Sequence, residues 1–169
     1  MEHVVRMGEL AVSRAGGDVL SCIGLGSCIG VVLFDRGMGA AALAHVMLPS
    51  GAASDATPAK YADSGVPATV RALAAAGARP TRLEAALVGG ASMFAMAGGQ
   101  EIGARNEDAV RATLDDLRIP VVAVATGGSS GRTVRVHVAS PGLAPRVTVR
   151  DAGGADEDLD LDVVLAAAA

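Results

Sequence analysis

Two side chains, the thiol of Cys28 and the imidazole of His45, are of the types that cooperate in covalent catalysis. Cys28 ends the stretch 23–28, a glycine- and serine-containing turn between two apolar runs, and His45 interrupts the apolar run 40–48. A thiolate attacks acyl carbons, and a nearby imidazolium lowers the pKa of the thiol and exchanges protons with it. The spacing predicts a thiol presented by a tight turn and an imidazole supplied by a neighbouring strand.

The same turn has the composition of an oxyanion-binding site. Glycine exposes backbone N–H groups at little steric cost, and such donors stabilise the negative oxygen that develops during acyl transfer. The N–H of Cys28 is the first candidate donor, with Ser27 and Gly26 contributing to the geometry of the turn.

The elements that must position this pair follow from hydrophobic periodicity and turn residues. Two helices are predicted: one over about 59–76, with Pro67 as an alternative start, and one from Asn106 to Pro120. The abundant Ala, Val and Leu suit closely packed layers of sheet and helix. Strands are predicted at 3–5, 9–12, 19–23, 29–34, 40–48, 83–88, 121–125, 133–139 and 146–150, with a break at Gly8 between the first two.

The distribution of charge argues against nucleic acid as a partner. The net charge is −4, but six of the 18 acidic residues lie after residue 150, which leaves the first 150 residues close to neutral. A phosphate backbone needs a basic surface that this composition lacks. We predict one domain over residues 1–150 and a flexible acidic tail over 151–169, with at most a late strand or helical turn near residues 163–165.

Several other classes of protein are disfavoured. The sequence has neither a signal-peptide pattern nor an apolar run of about 18 residues, which predicts a cytoplasmic protein that is not an integral membrane protein. Cys22, Cys28 and His45 would supply only three metal ligands at an unusual spacing. Gly24 and Gly26 form only half of a dinucleotide-binding fingerprint. No metal and no cofactor are expected.

Six short motifs in a fixed order resemble the CheD family of chemoreceptor glutamine deamidases, over residues 1 to about 150. They are 25–28 (Leu-Gly-Ser-Cys), 44–49 (Ala-His-Val-Met-Leu-Pro), 60–63 (Lys-Tyr-Ala-Asp), 89–94 (Gly-Gly-Ala-Ser-Met-Phe), 102–106 (Ile-Gly-Ala-Arg-Asn) and 126–128 (Thr-Gly-Gly). The resemblance implies hydrolysis of receptor glutamine side chains to glutamate and ammonia, with Cys28 as nucleophile and His45 as base.

The resemblance also implies a fold and partners. The fold would be α+β, with packed mixed β-sheets and two main flanking helices, similar to the catalytic domain of the deamidating cytotoxic necrotizing factor toxins. The substrate would be the cytoplasmic helices of chemoreceptors, and a CheC-type phosphatase would be a further partner. Apart from the resemblance, we expect the protein to be a monomer.

One position departs from the family pattern. Members carry a threonine six residues before the nucleophile, whose hydroxyl orients the histidine, whereas this chain has Cys22 there. A thiol is a weak acceptor, so either a backbone carbonyl or another side chain orients His45, or the enzyme is slow. Ser92, Arg105 and Asn106 are further candidates for substrate contact, each with a structural role as the alternative.

Two other functions remain open at this point. A largely non-catalytic adaptor that binds the receptor or a CheC-type phosphatase would explain Cys22. A cysteine amidohydrolase or peptidase with other substrates could use the same Cys28–His45 pair.

Overall fold

Ten strands and two α-helices form within residues 1–93 and 101–163, the part of the chain that the computed structural model describes. The helices are α1 (Ala62–Ala75) and α2 (Ile102–Asp116). The strands are β1 (Glu2–Val4), β2 (Leu10–Ser13), β3 (Val19–Leu25), β4 (Ile29–Asp35), β5 (Ala40–Val46), β6 (Glu84–Gly89), β7 (Val121–Thr126), β8 (Arg132–His137), β9 (Arg146–Asp151) and β10 (Glu157–Leu159).

The strands are divided between two mixed sheets. The outer sheet has the order β1-β3-β8-β9-β10 and the central sheet the order β2-β5-β4-β6-β7. The pairs β1–β3 and β6–β7 are parallel, and the other paired strands are antiparallel. The predicted α+β class with packed mixed sheets and two helices is therefore confirmed.

Strand β4 lies at the centre of three layers, and all seven of its residues are buried. Ile29, Val31 and Leu33 pack with α1 and α2 on one face. Val32 and Phe34 pack with residues of the outer sheet on the other face. A strand covered on both faces has no polar side to show, which explains its nearly continuous apolar sequence.

The turn that carries Cys28 crosses from one sheet to the other. It leaves β3 in the outer sheet and enters β4 in the central sheet. Strands β4 and β5 then form a hairpin in which Gly30 lies opposite His45. The predicted placement of the imidazole on a strand next to the thiol is confirmed.

The helices do not start where the local signals indicated: α1 begins after residue 59 and before the alternative start Pro67, and α2 begins before Asn106. Helix α1 starts at Ala62 and contains Pro67 in its second turn, so Pro67 does not mark its start. Helix α2 starts at Ile102, so the prediction that it begins with Asn106 as its capping residue was wrong. The Asn106 side chain is fully buried and donates hydrogen bonds to backbone carbonyls of two other segments. Its polar amide therefore serves a tertiary contact and does not mark the start of the helix.

The acidic segment after residue 151 is folded onto the outer sheet as far as it is described. Strand β10 pairs with β9, and Leu161 is buried. Arg36 holds this segment through the Asp162 carboxylate at 2.6 Å and the Leu161 carbonyl at 3.0 Å. This differs from the expected flexible tail, because arginines of the sheets offset the repulsion among its acids. The expected late strand at 163–165 extends beyond the described residues, and the domain limit at residue 150 stays a prediction.

Candidate active site

Cys28 and His45 project toward the same space between the two sheets. Side chains of β5 alternate, with Ala44 and Val46 on the helix side and Leu43 on the side of the outer sheet, which also places His45 toward the outer sheet. Cys28 packs against that same inter-sheet cluster. Gly30 opposes His45 in this hairpin, and Cys28 lies two positions before Gly30, in the turn that leads into β4.

A backbone carbonyl orients the imidazole. The Nδ1 atom of His45 lies 3.1 Å from the carbonyl oxygen of Val5, and the contact is buried. A carbonyl can only accept, so Nδ1 carries the proton and Nε2 is the basic nitrogen of the neutral ring. Of the alternatives raised by Cys22, a backbone carbonyl as the orienting group is the one that the structure contains.

Burial favours the uncharged forms of both groups. It raises the pKa of the half-buried Cys28 thiol. It also lowers the pKa of His45, against the opposing influence of the Val5 hydrogen bond and the Glu9 carboxylate. Burial therefore opposes the lowering of the Cys28 pKa that was expected from an imidazolium, and that lowering stays a prediction. The structure favours a thiol beside a neutral imidazole.

All three carbonyls of the turn 26–28 are held by hydrogen bonds from outside it. The carbonyl of Gly26 accepts from the Ala91 N–H at 2.9 Å and that of Cys28 from the Gly90 N–H at 2.9 Å. The carbonyl of Ser27 accepts from Nδ2 of Asn106 at 3.0 Å. The turn is thus fixed against the segment that follows β6 and against α2.

Two glycines make this close approach possible. A Cβ atom at Gly89, where φ is +110°, would lie 2.3 Å from the carbonyl oxygen of Cys28. A Cβ atom at Gly103 would lie 2.6 Å from the carbonyl oxygens of both Gly90 and Ala91. Gly103 therefore lets α2 rest on this backbone, and Asn106, one turn later, reaches the turn that carries Cys28.

Cys22 lies on β3 within the inter-sheet cluster and is fully buried. Burial raises its pKa, and the nearby Cys28 thiolate would raise it further. Cys22 is therefore a neutral thiol packed beside the candidate nucleophile.

The other predicted residues have different environments. The Ser92 hydroxyl donates a hydrogen bond to the Glu101 carboxylate, so its proton is already used within the protein. Arg105 is exposed, with no hydrogen bond or ion pair to its guanidinium among the residues described. Asn106 is fully buried and donates within the protein. Phe94, the last residue of the 89–94 motif, lies outside the described residues.

Sequence reasoning missed two contributors, the carbonyl of Val5 and the close packing at Gly103. The first acts through its backbone, so its side-chain type carries no signal. The second was visible only as a glycine three positions before Asn106, the spacing that puts two residues on one helix face.

Neither α1 nor α2 has the length and apolarity needed to cross a bilayer, and no other helix of the described residues has them.

Comparison with known proteins finds the family indicated by the motifs. A family model described as "CheD chemotactic sensory transduction" matches residues 47–150. A protein of Symbiobacterium thermophilum named "Probable chemoreceptor glutamine deamidase CheD" is 43% identical over 163 residues, covering 93% of this chain and 96% of that protein. The "Chemoreceptor glutamine deamidase CheD" of Thermotoga maritima is 40% identical over 157 residues, with the same coverage of 93% and 96%.

A third relative, the "Chemoreceptor glutamine deamidase CheD" of Bacillus licheniformis, is 43% identical over 135 residues, covering 76% of this chain and 80% of that protein. The family model begins two residues after His45, so its match rests on the later motifs. The relatives from Symbiobacterium and Thermotoga extend the similarity over nearly the whole chain.

Proposed function

Because this chain belongs to the CheD family, we propose that it hydrolyses the side-chain amides of selected glutamines on chemotaxis receptors, giving glutamate and ammonia. The observation that carries the proposal is the common orientation of Cys28 and His45 between the sheets, with Nε2 as the basic nitrogen. Acyl transfer from an amide requires a thiol and a base, and here both face the same space.

The proposed reaction has two halves. First, Sγ of Cys28 bonds to the amide carbon while its proton passes to Nε2 of His45. The C–N bond then breaks, the imidazolium returns that proton to the nitrogen, and ammonia leaves a thioester. Water next attacks the thioester as Nε2 takes a proton from it. The C–S bond breaks, the thiolate of Cys28 recovers the proton, and the product is glutamate.

Each half passes through a tetrahedral intermediate with a negative oxygen. The N–H of Cys28 is the proposed donor to that oxygen, and Ser27 and Gly26 supply the turn that exposes it. No described residue accepts a hydrogen bond from this N–H. Arg105 is retained as a proposed contact with the receptor because its guanidinium is exposed on the helix that supports the turn.

Cys22 is proposed to fill space rather than to take part in the reaction. Its pKa is raised by burial, so it offers neither a thiolate nor a strong acceptor to the imidazole. The carbonyl of Val5 supplies the acceptor that the family threonine would otherwise provide.

Family membership also supports the broader assignments. We propose that the protein acts in the cytoplasm as a monomer on the cytoplasmic helices of receptors, and that it binds a CheC-type phosphatase. We further propose that its layered fold is similar to the catalytic domain of the cytotoxic necrotizing factor toxins.

Incubation of a receptor cytoplasmic fragment with the protein, followed by intact-mass analysis, tests the function. Wild type should convert glutamines to glutamates with release of ammonia, and Cys28→Ala should convert none while keeping its circular dichroism spectrum. Full conversion by Cys28→Ala would refute the assignment of the nucleophile. Stable binding of receptor by a wild type that converts no glutamine would instead identify an adaptor.

A further inference from the structure

Asn106 connects the two segments that carry the proposed catalytic pair. Its Nδ2 atom donates to the carbonyl of Ser27 at 3.0 Å and to the carbonyl of Met47 at 2.8 Å. The first carbonyl directly precedes Cys28, and the second lies two residues after His45. Since both acceptors are carbonyls, only the NH₂ side of the amide can face them, which fixes its orientation chemically.

The bond to Ser27 determines where the N–H of Cys28 points. That carbonyl and that N–H belong to one peptide unit, and the described part of the chain has no cis peptide bond. In a trans unit the carbonyl and the N–H point in opposite directions. By holding the carbonyl toward α2, Asn106 keeps the N–H directed away from α2, where no described residue accepts it.

The other half of the Asn106 amide argues against a role in packing alone. Its Oδ1 atom is buried, and none of the described residues donates a hydrogen bond to it. A buried acceptor left unsatisfied costs stability, and a leucine of similar shape would fill the space without that cost. The two donated bonds are what asparagine supplies here and leucine would not.

We propose that Asn106 is a positioning residue, which fixes the Ser27–Cys28 peptide so that its N–H can stabilise the oxyanion. It acts through this peptide and does not contact the substrate. The second bond, to Met47, keeps the base-bearing strand at a fixed distance from the same peptide. This inference rests on the proposed function, because only acyl chemistry at Cys28 generates the oxyanion.

Asn106→Leu, which removes both donors at similar volume, tests the proposal with three measurements. The kcat for deamidation of a receptor fragment should fall by up to about 100-fold, the order seen when an oxyanion donor is lost, with KM little changed. Butanal, which adds to Cys28 as a hemithioacetal with a similar oxygen, should bind correspondingly more weakly. Alkylation of Cys28 by iodoacetamide should keep its rate, since a thioether forms without an oxyanion.

Two further variants make the result decisive. Leu114→Ala, on the same helix and fully buried, gives a matched loss of stability without touching the turn. Asn106→Ala serves if the leucine variant does not fold, and its aldehyde affinity and alkylation rate are compared at a temperature where circular dichroism shows the native fold. Equal losses of aldehyde affinity in the Leu114 and Asn106 variants, or unchanged aldehyde affinity in both Asn106 variants, would overturn the proposal.

The aldehyde measurement separates this inference from the proposed function. A wild type that binds butanal through Cys28 but deamidates no receptor glutamine refutes the function, while weaker binding by the Asn106 variants still supports positioning. A wild type that deamidates receptors, with Asn106 variants that match it in kcat and aldehyde affinity, refutes positioning alone.

Discussion

At the scale of the residue, the site combines a buried imidazole with a half-buried thiol, and both are favoured in their neutral forms. The chemistry then depends on proton transfer during attack rather than on a thiolate formed beforehand. In the amide reaction, attack by Sγ and transfer of its proton to Nε2 then occur together, so no thiolate has to form beforehand.

We predict a pH dependence that distinguishes proton transfer during attack from a thiolate formed beforehand. His45 must be neutral to act as a base, and its lowered pKa keeps it neutral below its ordinary value of 6.5, so kcat/KM should fall only under that pH. Alkylation of Cys28 requires the thiolate, whose raised pKa places its formation above the ordinary value of 9.0, so this rate should still be rising there. Both profiles can be measured on the wild type. An alkylation rate that is already at its plateau near neutral pH would indicate a preformed ion pair.

Cys22 gives a second prediction at this scale. Cys22→Ala should lower the free energy of unfolding by about 1 kcal/mol, the order for removing one buried heavy atom, while leaving kcat nearly unchanged because the Val5 carbonyl still orients His45. Denaturant unfolding and the receptor assay measure the two quantities. Cys22→Thr serves as the comparison because it introduces the hydroxyl of the family threonine. A large rise in kcat in this variant would mean that the Val5 carbonyl alone does not orient His45 fully.

At the scale of the element, helix α2 supports the active-site turn because it rests directly on the backbone of Gly90 and Ala91. Gly103 makes the close contact with that backbone, and Asn106, on the same face of the helix, donates the hydrogen bond to the carbonyl of Ser27. The position of the helix and the geometry of the turn are therefore coupled.

Gly103→Ala should separate α2 from the segment that it supports. Its Cβ atom would lie 2.6 Å from two carbonyl oxygens, and overpacking of this kind costs about 1–3 kcal/mol. We expect a lower midpoint of denaturation together with a loss of kcat, because Asn106 moves with the helix. Ala104→Gly, at an exposed position next in sequence, should lower stability without the same loss of kcat. A Gly103→Ala variant as active and stable as wild type would contradict the coupling.

The sequence predicted the strands around the site better than it predicted the helices. Apolar runs with flanking turn residues indicated β3, β4 and β5 and so put His45 beside Cys28. The start of α2 was missed because Asn106 has the type of a capping residue but is used in a tertiary contact. The carbonyl of Val5 could not be predicted from side chains, and neither could the division of β3 and β4 between two sheets, which depends on pairing between distant segments.

At the scale of the whole molecule, the acidic segment after residue 151 completes one edge of the outer sheet. Arg36 lies between Glu84 of the central sheet and Asp162 of this segment, with ion-pair distances of 2.7 and 2.6 Å. Leu161 is buried in the same region. The segment therefore joins the two sheets at their periphery.

Deletion of residues 156–169 should destabilise the protein by about 2 kcal/mol or more, the order for exposing one buried leucine, and should leave β9 as an open edge that promotes association. Thermal unfolding and size-exclusion chromatography measure these effects. Deletion from residue 164 onward, which retains β10 and Leu161, is the matched control. Indistinguishable unfolding curves for the two deletions would show that β10 adds no stability.

The register of the β4–β5 hairpin has one more consequence, for how insertions and deletions affect this protein. Successive strand residues face opposite sides, so a slip of one position would carry His45 from the inter-sheet space to the helix side, while Cys28 stayed where it is. A slip of two positions would restore the side but move the imidazole along the strand by roughly 7 Å. Activity therefore depends on the β4–β5 register, and a shift by an odd number of residues places His45 on the wrong face of the sheet. A change in loop length over residues 36–39 that shifts the ladder by one residue should abolish catalysis without changing any residue of the site.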